Sequence, residues 1–365
     1  MHRRNREDRS SQLQASKVNQ ERIILSSERI LVTGSNGFIG TRVVDALLRY
    51  GFSSIRCFVR PSSRLDGLYK VLHQYSAADT IELFQGDLLS PEDCQRAVDG
   101  CSIVYHLAAG SDKSFAGSFM NSVLATRNLM DATVARGELK RFVNVSSFAV
   151  YSTLKIQCRG VLDETCPLED SPQERYDPYG FGKLKQEELV KEYGKKFGLP
   201  YVILRPGTVF GPGKRELSGR VGIGTFGVFI QVGGFNLLPL TFVDNCAEAI
   251  VLAGLKPGVE GEVFNVVDEE LLTSGQFLSR YKKSVKQFLS VRIPYFAAHL
   301  LCLLWENYSR KSKSQLPPVF NRRRCAAEWK QIRFTNQRLR DRLGWEPRIG
   351  LESAMSSFLS QFTDR

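Results

Sequence analysis

Three glycines in the run Gly34-Ser35-Asn36-Gly37-Phe38-Ile39-Gly40 constrain the fold of this chain more than any other segment. They follow Arg29-Ile30-Leu31-Val32-Thr33, an apolar, β-branched stretch that reads as a strand, and they precede a helical pattern over Thr41 to Tyr50. In such a strand-to-helix turn the first glycine permits the tight bend and the second lets the backbone approach a pyrophosphate. The third allows the helix to pack closely on the strand. The helix N-terminus then offers unpaired N–H groups and the positive end of its dipole to negative charge. Gly34, Asn36, Gly37, Phe38, Ile39 and Gly40 are therefore the expected dinucleotide contacts.

Strand-like and helical stretches alternate after this loop. Ile55 to Val59, Thr80 to Phe84, Ile103 to Leu107, Arg141 to Val145 and Tyr201 to Leu204 read as strands. Helices are expected over Phe119 to Ala135 and from the segment bearing Tyr179 to about Phe197. The alternation predicts an α/β chain, a Rossmann-type doubly wound parallel sheet covered on both faces. Residues 1–28, polar and charged with no apolar stretch of a secretory signal, read as a flexible extension. Residues 29–206 read as the NAD(P)-binding domain. Residues 207–365, which begin with glycine-rich loops, read mainly as a smaller substrate lobe with some return of chain to the first domain.

The cofactor ribose is read at the end of the second strand, where an acid favours NAD and a base accommodates the 2′-phosphate of NADP. Here that position holds Arg60 and no carboxylate, which favours NADP over NAD. Asp87, in Gly86-Asp87-Leu88 after the third strand, is placed either to touch the adenine or to close a turn.

The fifth strand ends in Val145-Ser146-Ser147-Phe148-Ala149-Val150-Tyr151, and ligands of a parallel sheet bind beyond the carboxyl ends of its strands. Downstream, Asp177-Pro178-Tyr179-Gly180-Phe181-Gly182-Lys183 starts a helix at a proline and sets Tyr179 and Lys183 on one face. A phenol is a poor base near neutral pH, and a neighbouring ammonium favours the phenolate. A serine hydroxyl holding a substrate oxygen while Tyr179 exchanges its proton would complete a hydride-transfer site.

On these residues the chain resembles the extended branch of the short-chain dehydrogenase/reductase superfamily, which holds epimerases, dehydratases and 3β-hydroxysteroid-dehydrogenase-like enzymes. The matching stretches include Gly34-x-x-Gly37-x-x-Gly40, Gly86-Asp87-Leu88, His106-Leu107-Ala108-Ala109, Asn121 through Asn128 and Tyr179-x-x-x-Lys183. They continue with Leu204-Arg205-Pro206-Gly207, Phe242-Val243-Asp244-Asn245, Gly261 through Asn265 and Leu343-Gly344-Trp345-x-Pro347. The resemblance implies that Tyr179 is the acid/base, that Lys183 lowers its pKa and binds the nicotinamide ribose, and that Ser147 rather than Ser146 holds the substrate oxygen. It also implies that Leu88, Leu107, Ala108, Ala109 and Pro206 lie along the cofactor and that Asn128, in the same cofactor-binding set, supports the helix carrying it. A homodimer through the 119–135 and 179–197 helices is a further expectation from it.

Departures from the family patterns narrow the reaction. The sugar-nucleotide 4,6-dehydratases of that superfamily carry an Asp-Glu pair just after the serine or threonine. Here Phe148 and Ala149 stand there, and neither can carry a proton. Nucleotide-sugar epimerases present an arginine to the diphosphate just before the stretch matching Phe242-Val243-Asp244, whereas residues 235–241 hold no cation. An arginine from Arg322, Arg323 or Arg324 could replace it. Phe226, Phe229, Ile230 and the run Ile293–Trp305 suit a lipophilic, sterol-like or lipid substrate better. The favoured reading is an NAD(P)-dependent oxidoreductase acting on a secondary alcohol or ketone of an apolar small molecule. An NDP-sugar 4-epimerase retaining NAD is the alternative, and a cofactor-binding sensor or scaffold without catalysis the third.

Charge and cysteine usage bear on partners. The net charge of +12 is concentrated between Arg280 and Arg348, where 17 Lys or Arg face 4 Asp or Glu. No nucleic-acid motif accompanies this charge, and no nucleic-acid partner is expected. The apolar run 293–305 with Arg310, Lys311 and Lys313 reads as a roof for the substrate, a buried helix, or a peripheral contact of 293–313 with an anionic bilayer. Eight scattered cysteines and four histidines form no metal-ligand pattern and fit a reducing, cytoplasmic setting with no metal.

Overall fold

The computed structural model describes residues 22–78, 80–110, 114–215, 217–312 and 315–362. Seven strands build the central sheet: β1 (Arg29–Thr33), β2 (Ile55–Val59), β3 (Glu82–Gln85), β4 (Cys101–His106), β5 (Arg141–Val145), β6 (Tyr201–Pro206) and β7 (Val263–Val266). Their order is β7-β6-β5-β4-β1-β2-β3, and every pairing is parallel. The order reverses between β1 and β4, so their carboxyl ends flank the crevice where such sheets bind ligands.

Side chains alternate across the sheet. On β1, Ile30 and Val32 join one core layer with Val43, Leu47 and Ile250, while Leu31 joins the opposite layer with Met130 and Val190. Both faces are thus covered, and β2 and β5 are buried at every position. The sequence pattern locates six of the strands, with β3 and β4 shifted to Glu82 and Cys101. The seventh comes from the C-terminal third, which returns to pair β7 with β6.

Residues 22–28, expected in a flexible extension, are packed instead. Ile24 is buried in the first core layer, the Ile23 amide donates to Leu255 O at 3.1 Å, and the Arg22 guanidinium lies over the Tyr50 and Phe52 rings. The rest of that expected extension, residues 1–21, lies outside the described residues.

Two helices position the site. α1 (Phe38–Arg49) leaves the glycine loop, and α2 (Pro178–Phe197) carries Tyr179 and Lys183. Asp177 caps α2 by accepting from the Gly180 amide at 3.0 Å, Pro178 opens it, and Gly198 ends it in the left-handed conformation at φ 67°. The expected helix over 119–135 is longer and broken: Phe115–Ser118 is α-helical, Phe119–Leu124 is π-helical, and Ala125–Arg136 is α-helical again. Ser118 Oγ at the start of the π turn donates to Pro178 O at 2.7 Å, joining this element to α2.

After β6 part of the chain returns to cover the central sheet, with Val243, Ile250 and Leu339 in its first core layer, and the rest forms a smaller lobe beside it. Thr208–Phe210 pairs with Leu240–Phe242, and Ile223–Thr225, Val228–Val232 and Ser290–Ile293 form a small sheet. The next two helices are α3 (Tyr295–Lys311) and α4 (Arg322–Trp329).

Candidate active site

The glycine loop has the form a pyrophosphate needs. Gly34 holds φ 67°, and a Cβ there would sit 3.0 Å from Ala108 N. A Cβ on Gly40 would run into the carbonyl of Gly34, so α1 can approach the loop only with glycine at that position. The N-cap of α1, Gly37, provides no side-chain cap, and the first turn carries no acid. The free amides and the positive helix end therefore remain for a ligand.

A cavity of about 540 Å³ runs along this loop and the ends of β4, β5 and β6. Gly34, Gly37, Phe38, Ile39, Gly40, Leu107, Ala109, Ser147, Tyr179, Lys183 and Pro206 all line it. The strand-end serine and the helix-borne tyrosine and lysine, distant in sequence, thus share one space with the phosphate loop.

Within that space Ser147 caps the short 3₁₀ turn Phe148–Val150, its Oγ accepting from the Ala149 amide at 3.2 Å. Tyr179 keeps 38% of its surface exposed. Desolvation by the cavity walls raises its phenol pKa, hydrogen bonding with Ser147 pulls it down, and the Asp177 charge raises it, for a net increase. Lys183 is buried, with Nζ donating to Val145 O at 2.7 Å and to Gln186 Oε1 at 3.0 Å. Burial presses the lysine pKa down to about 7 against the opposing charge of Glu187. In this arrangement the lowering influence on Tyr179 comes from Ser147, and the ammonium is turned toward the end of β5.

A buried polar chain fixes the lysine from behind. Gln186 Nε2 donates to Thr126 Oγ1 at 2.6 Å; Thr126 Oγ1 lies 2.9 Å from His106 Nε2, and His106 Nδ1 lies 2.8 Å from Thr33 Oγ1. Burial first, and the Lys183 charge second, push the His106 pKa down to about 3, so the imidazole is neutral at physiological pH. A second link is the bidentate pair of Arg205 with Glu187, at 2.8 and 2.7 Å, which ties β6 to α2. Arg205 also donates to the Tyr151 hydroxyl, which donates to Asn265 Oδ1 on β7.

Other expected cofactor residues stand outside the lining of this cavity: Asn36, Arg60, Asp87, Leu88, Ala108 and Asn128. Asp87 closes a turn, its Oδ1 accepting from the Leu89 amide at 3.0 Å. Leu88 is buried in the core, and Asn128 Nδ2 donates to Leu88 O at 3.0 Å and Leu89 O at 3.1 Å. Asn128 thus clamps the loop after β3. Asn36 Nδ2 bonds Arg64 O at 3.2 Å, Ala108 offers its backbone beneath Gly34, and Arg60 is exposed at the end of β2.

The substrate side differs from the sequence expectation. Phe226 and Phe229 line a separate pocket with Tyr281 and Phe288, and no residue of 293–305 reaches the cavity beside Tyr179. The cavity wall instead carries Arg175, Lys214, Arg220 and Arg324, set against Asp177 and Glu328. Arg175 is committed to Asp177 at 2.8 Å and to Ala149 O. Of the three arginines considered as a replacement clamp, Arg324 alone lines the cavity. Arg322 pairs with Glu306 at 2.9 Å and Arg323 with Glu169 at 2.6 Å.

The chain matches the NAD dependent epimerase/dehydratase family over residues 30–266. It is 26% identical over 360 residues to a 3beta-hydroxysteroid-dehydrogenase/decarboxylase (isoform 2) of Arabidopsis thaliana, covering 91% of this chain and 62% of that protein. It therefore spans about six tenths of the plant relative's length. It is also 26% identical over 360 residues to a decarboxylating sterol-4-alpha-carboxylate 3-dehydrogenase of Candida albicans, covering 91% of this chain and 96% of that one. Among solved structures, the NAD complex of a Bacillus cereus UDP-glucuronic acid 4-epimerase has the same fold, with a TM-score of 0.68 at 23% identity over 92% of this chain and 98% of that one. The phosphate loop, the seven-stranded parallel sheet and the match over most of its length together place the chain in the NAD dependent epimerase/dehydratase family, within the extended short-chain dehydrogenase/reductase superfamily.

Proposed function

We propose that this protein is an NAD(P)-dependent oxidoreductase that acts at a secondary alcohol or ketone of a substrate with an apolar body and an anionic group. The observation that carries the reading is the single cavity in which the glycine loop, Ser147, Tyr179 and Lys183 meet Arg220 and Arg324. In the oxidative direction Tyr179 Oη takes the hydroxyl proton while Ser147 Oγ donates to the substrate oxygen. Lys183, turned from Val145 O toward a bound ribose, orients it and favours the phenolate. When bound, the nicotinamide supplies the hydride acceptor or donor. Arg220, whose pKa burial lowers against the opposing charge of Glu328, and Arg324 would hold a carboxylate or phosphate by charge-assisted hydrogen bonds.

Two further observations support this choice. The alignments with the two sterol-type relatives cover 91% of this chain, whereas that with a UDP-glucose 4,6-dehydratase-containing protein of Arabidopsis thaliana covers 66%. Those sterol-type relatives are named for hydroxysteroid or sterol-carboxylate chemistry, in which an apolar skeleton bears an acid. On the cofactor, the exposed Arg60 at the end of β2 leaves room for a 2′-phosphate and favours NADP over NAD.

A second reading, an NDP-sugar epimerase with retained NAD, is favoured by the same cations, which supply the diphosphate clamp missing from residues 235–241. The test is to incubate the purified protein with free NAD or NADP and, separately, a 3β-hydroxysteroid 4-carboxylate and a UDP-sugar. Accumulation of reduced cofactor with the hydroxy acid is expected. Epimerisation of the UDP-sugar without net cofactor turnover would overturn the first reading.

A further inference from the structure

Helix α3 has two unlike sides. Ala298, Cys302, Glu306 and Ser309 are buried, with Ala298 and Cys302 in a small core shared with Cys325 and Trp329 of α4. Phe296, Leu300, Leu304 and Tyr308, four residues apart along the helix, form a stripe on the other side, joined by Leu301. Each of these five is more than half exposed. Leu289 and Val291, in the segment leading into the helix, are also more than half exposed. An apolar stripe this long on one element marks a surface that is covered in use.

Its chemistry identifies the cover. From Arg280 to Lys313 the sequence carries eight Lys or Arg and a single acid, Glu306. That acid is turned inward onto Arg322 at 2.9 Å. Lys283, Lys286 and Lys311 are exposed and have no carboxylate within ion-pair distance among the described residues. A two-fold dimer through this face would bring two copies of the basic 280–313 segment together, with no outward acid in that segment to answer them. A spanning segment is excluded for the helix itself: 17 residues fall short of the roughly 20 needed to cross a bilayer, and none of the described helices is long and apolar enough.

We propose that α3 is a monotopic docking helix that lies in the headgroup boundary of an anionic bilayer, its leucine stripe in the acyl region and its lysine rim on the lipid phosphates. Helix α4 carries the consequence for the active site. One side of it, Cys325 and Trp329, packs on α3, and the other, Arg324, Ala327 and Glu328, lines the cavity beside Tyr179. One helix diameter, about 10 Å, therefore separates the docked face from the substrate space. That arrangement suits an amphipathic substrate delivered from the membrane.

The test is sedimentation of the full chain with vesicles of phosphatidylcholine alone and of phosphatidylcholine with phosphatidylserine. The expected result is binding to the anionic vesicles, weakened by salt. It should fall at least about tenfold in the double variant Leu300→Ser/Leu304→Ser, because two large apolar side chains leave the interface. The variant Lys283→Gln/Lys286→Gln/Lys311→Gln should lose the preference for phosphatidylserine while keeping the fold, checked by thermal melting. The proposal is overturned if the wild type stays in the supernatant with both vesicles, or if the leucine variant binds unchanged. It is equally overturned if sedimentation velocity shows a wild-type dimer that the leucine variant abolishes, since a second copy would then cover the stripe. Activity on water-soluble substrate is untouched by these substitutions, so failure here is distinct from failure of the proposed reaction.

Discussion

Lys183 donates from Nζ to the carbonyl oxygen of Val145 at 2.7 Å, which anchors the tyrosine-bearing helix to the end of β5. The bond holds a buried ammonium whose pKa is pressed down to about 7 by desolvation. In the unfolded chain a lysine keeps its proton to a pKa of about 10.4. Between those two values the unfolded state binds more protons, so this group makes folding more favourable as pH rises through that window. Replacement by methionine removes the contribution. The wild-type minus Lys183→Met difference in unfolding free energy, from urea titrations, should climb between pH 7 and about pH 10 and stay level below it. A level difference throughout would show that the lysine is not held in this buried state.

Tyr179 projects its hydroxyl into the cavity while its helix is fixed by Asp177, Pro178 and Ser118. Removing that one oxygen leaves the fold intact. Tyr179→Phe should lower kcat by about 10²–10⁴ with little change in nicotinamide affinity, measured by steady-state rates and by fluorescence titration of the cofactor. Retained turnover would remove the tyrosine from the chemistry.

The Arg205–Glu187 pair is almost fully buried on both sides. Arg205→Met would leave the Glu187 carboxylate without its bidentate partner inside the protein, at a cost of about 3–5 kcal/mol. The double change Arg205→Met/Glu187→Leu removes both charges and should recover a large part of that loss. Denaturant midpoints of the two single variants and the double variant measure the coupling. Additive losses would mean that the pair contributes nothing as a pair.

Arg60 stands exposed one residue beyond β2, with its backbone amide bound to Ser63 Oγ at 3.1 Å and its side chain available. A carboxylate there would accept from a ribose hydroxyl and repel a 2′-phosphate. Arg60→Asp should shift the NADP-to-NAD ratio of dissociation constants toward NAD by about tenfold or more, in line with the strength of one charge-assisted bond. Calorimetric titration with each cofactor reads the ratio, and an unchanged ratio would place Arg60 in solvent only.

The parts legible in the sequence are those set by local rules. The loop from Gly34 to Gly40 needs its glycines because backbone meets backbone there, and α2 announces itself by Asp177, Pro178 and Gly198. Ser147 and Tyr179 follow from strand end and helix start, positions that a parallel sheet brings together. What stayed hidden depends on tertiary packing. β7 is four residues long and pairs only because the chain returns from the second lobe. The π turn at Phe119–Leu124 has no periodicity that separates it from an ordinary helix. His106 reads as one residue of an apolar strand end, and only the fold sets it between Thr33 and Thr126. The apolar residues around Phe229 look like a substrate wall because nothing local says which pocket they face.

The cation wall is the sharpest case, since Arg175, the Lys214–Arg220 loop and Arg324 come from three separate segments and share no motif. Two of them carry the last prediction. Arg220 donates to Ala327 O at 2.7 Å, which fixes it against α4, while Arg324 is exposed at the cavity rim. If they hold an anionic group remote from the reacting carbon, they bind ground state and transition state alike. Loss of such contacts raises KM and leaves kcat nearly unchanged. A charged hydrogen bond of about 1.5–3 kcal/mol corresponds to roughly 10- to 150-fold in KM. Arg324→Gln should therefore raise KM within that range for a carboxylate- or phosphate-bearing substrate, and should leave KM for the corresponding neutral ester unchanged. Arg220→Gln should act in the same sense, with a fall in thermal stability because its packing against α4 is disturbed. A fall in kcat at constant KM would instead bring these arginines to the reacting centre, and equal effects on acid and ester would remove the anionic group from the proposed substrate.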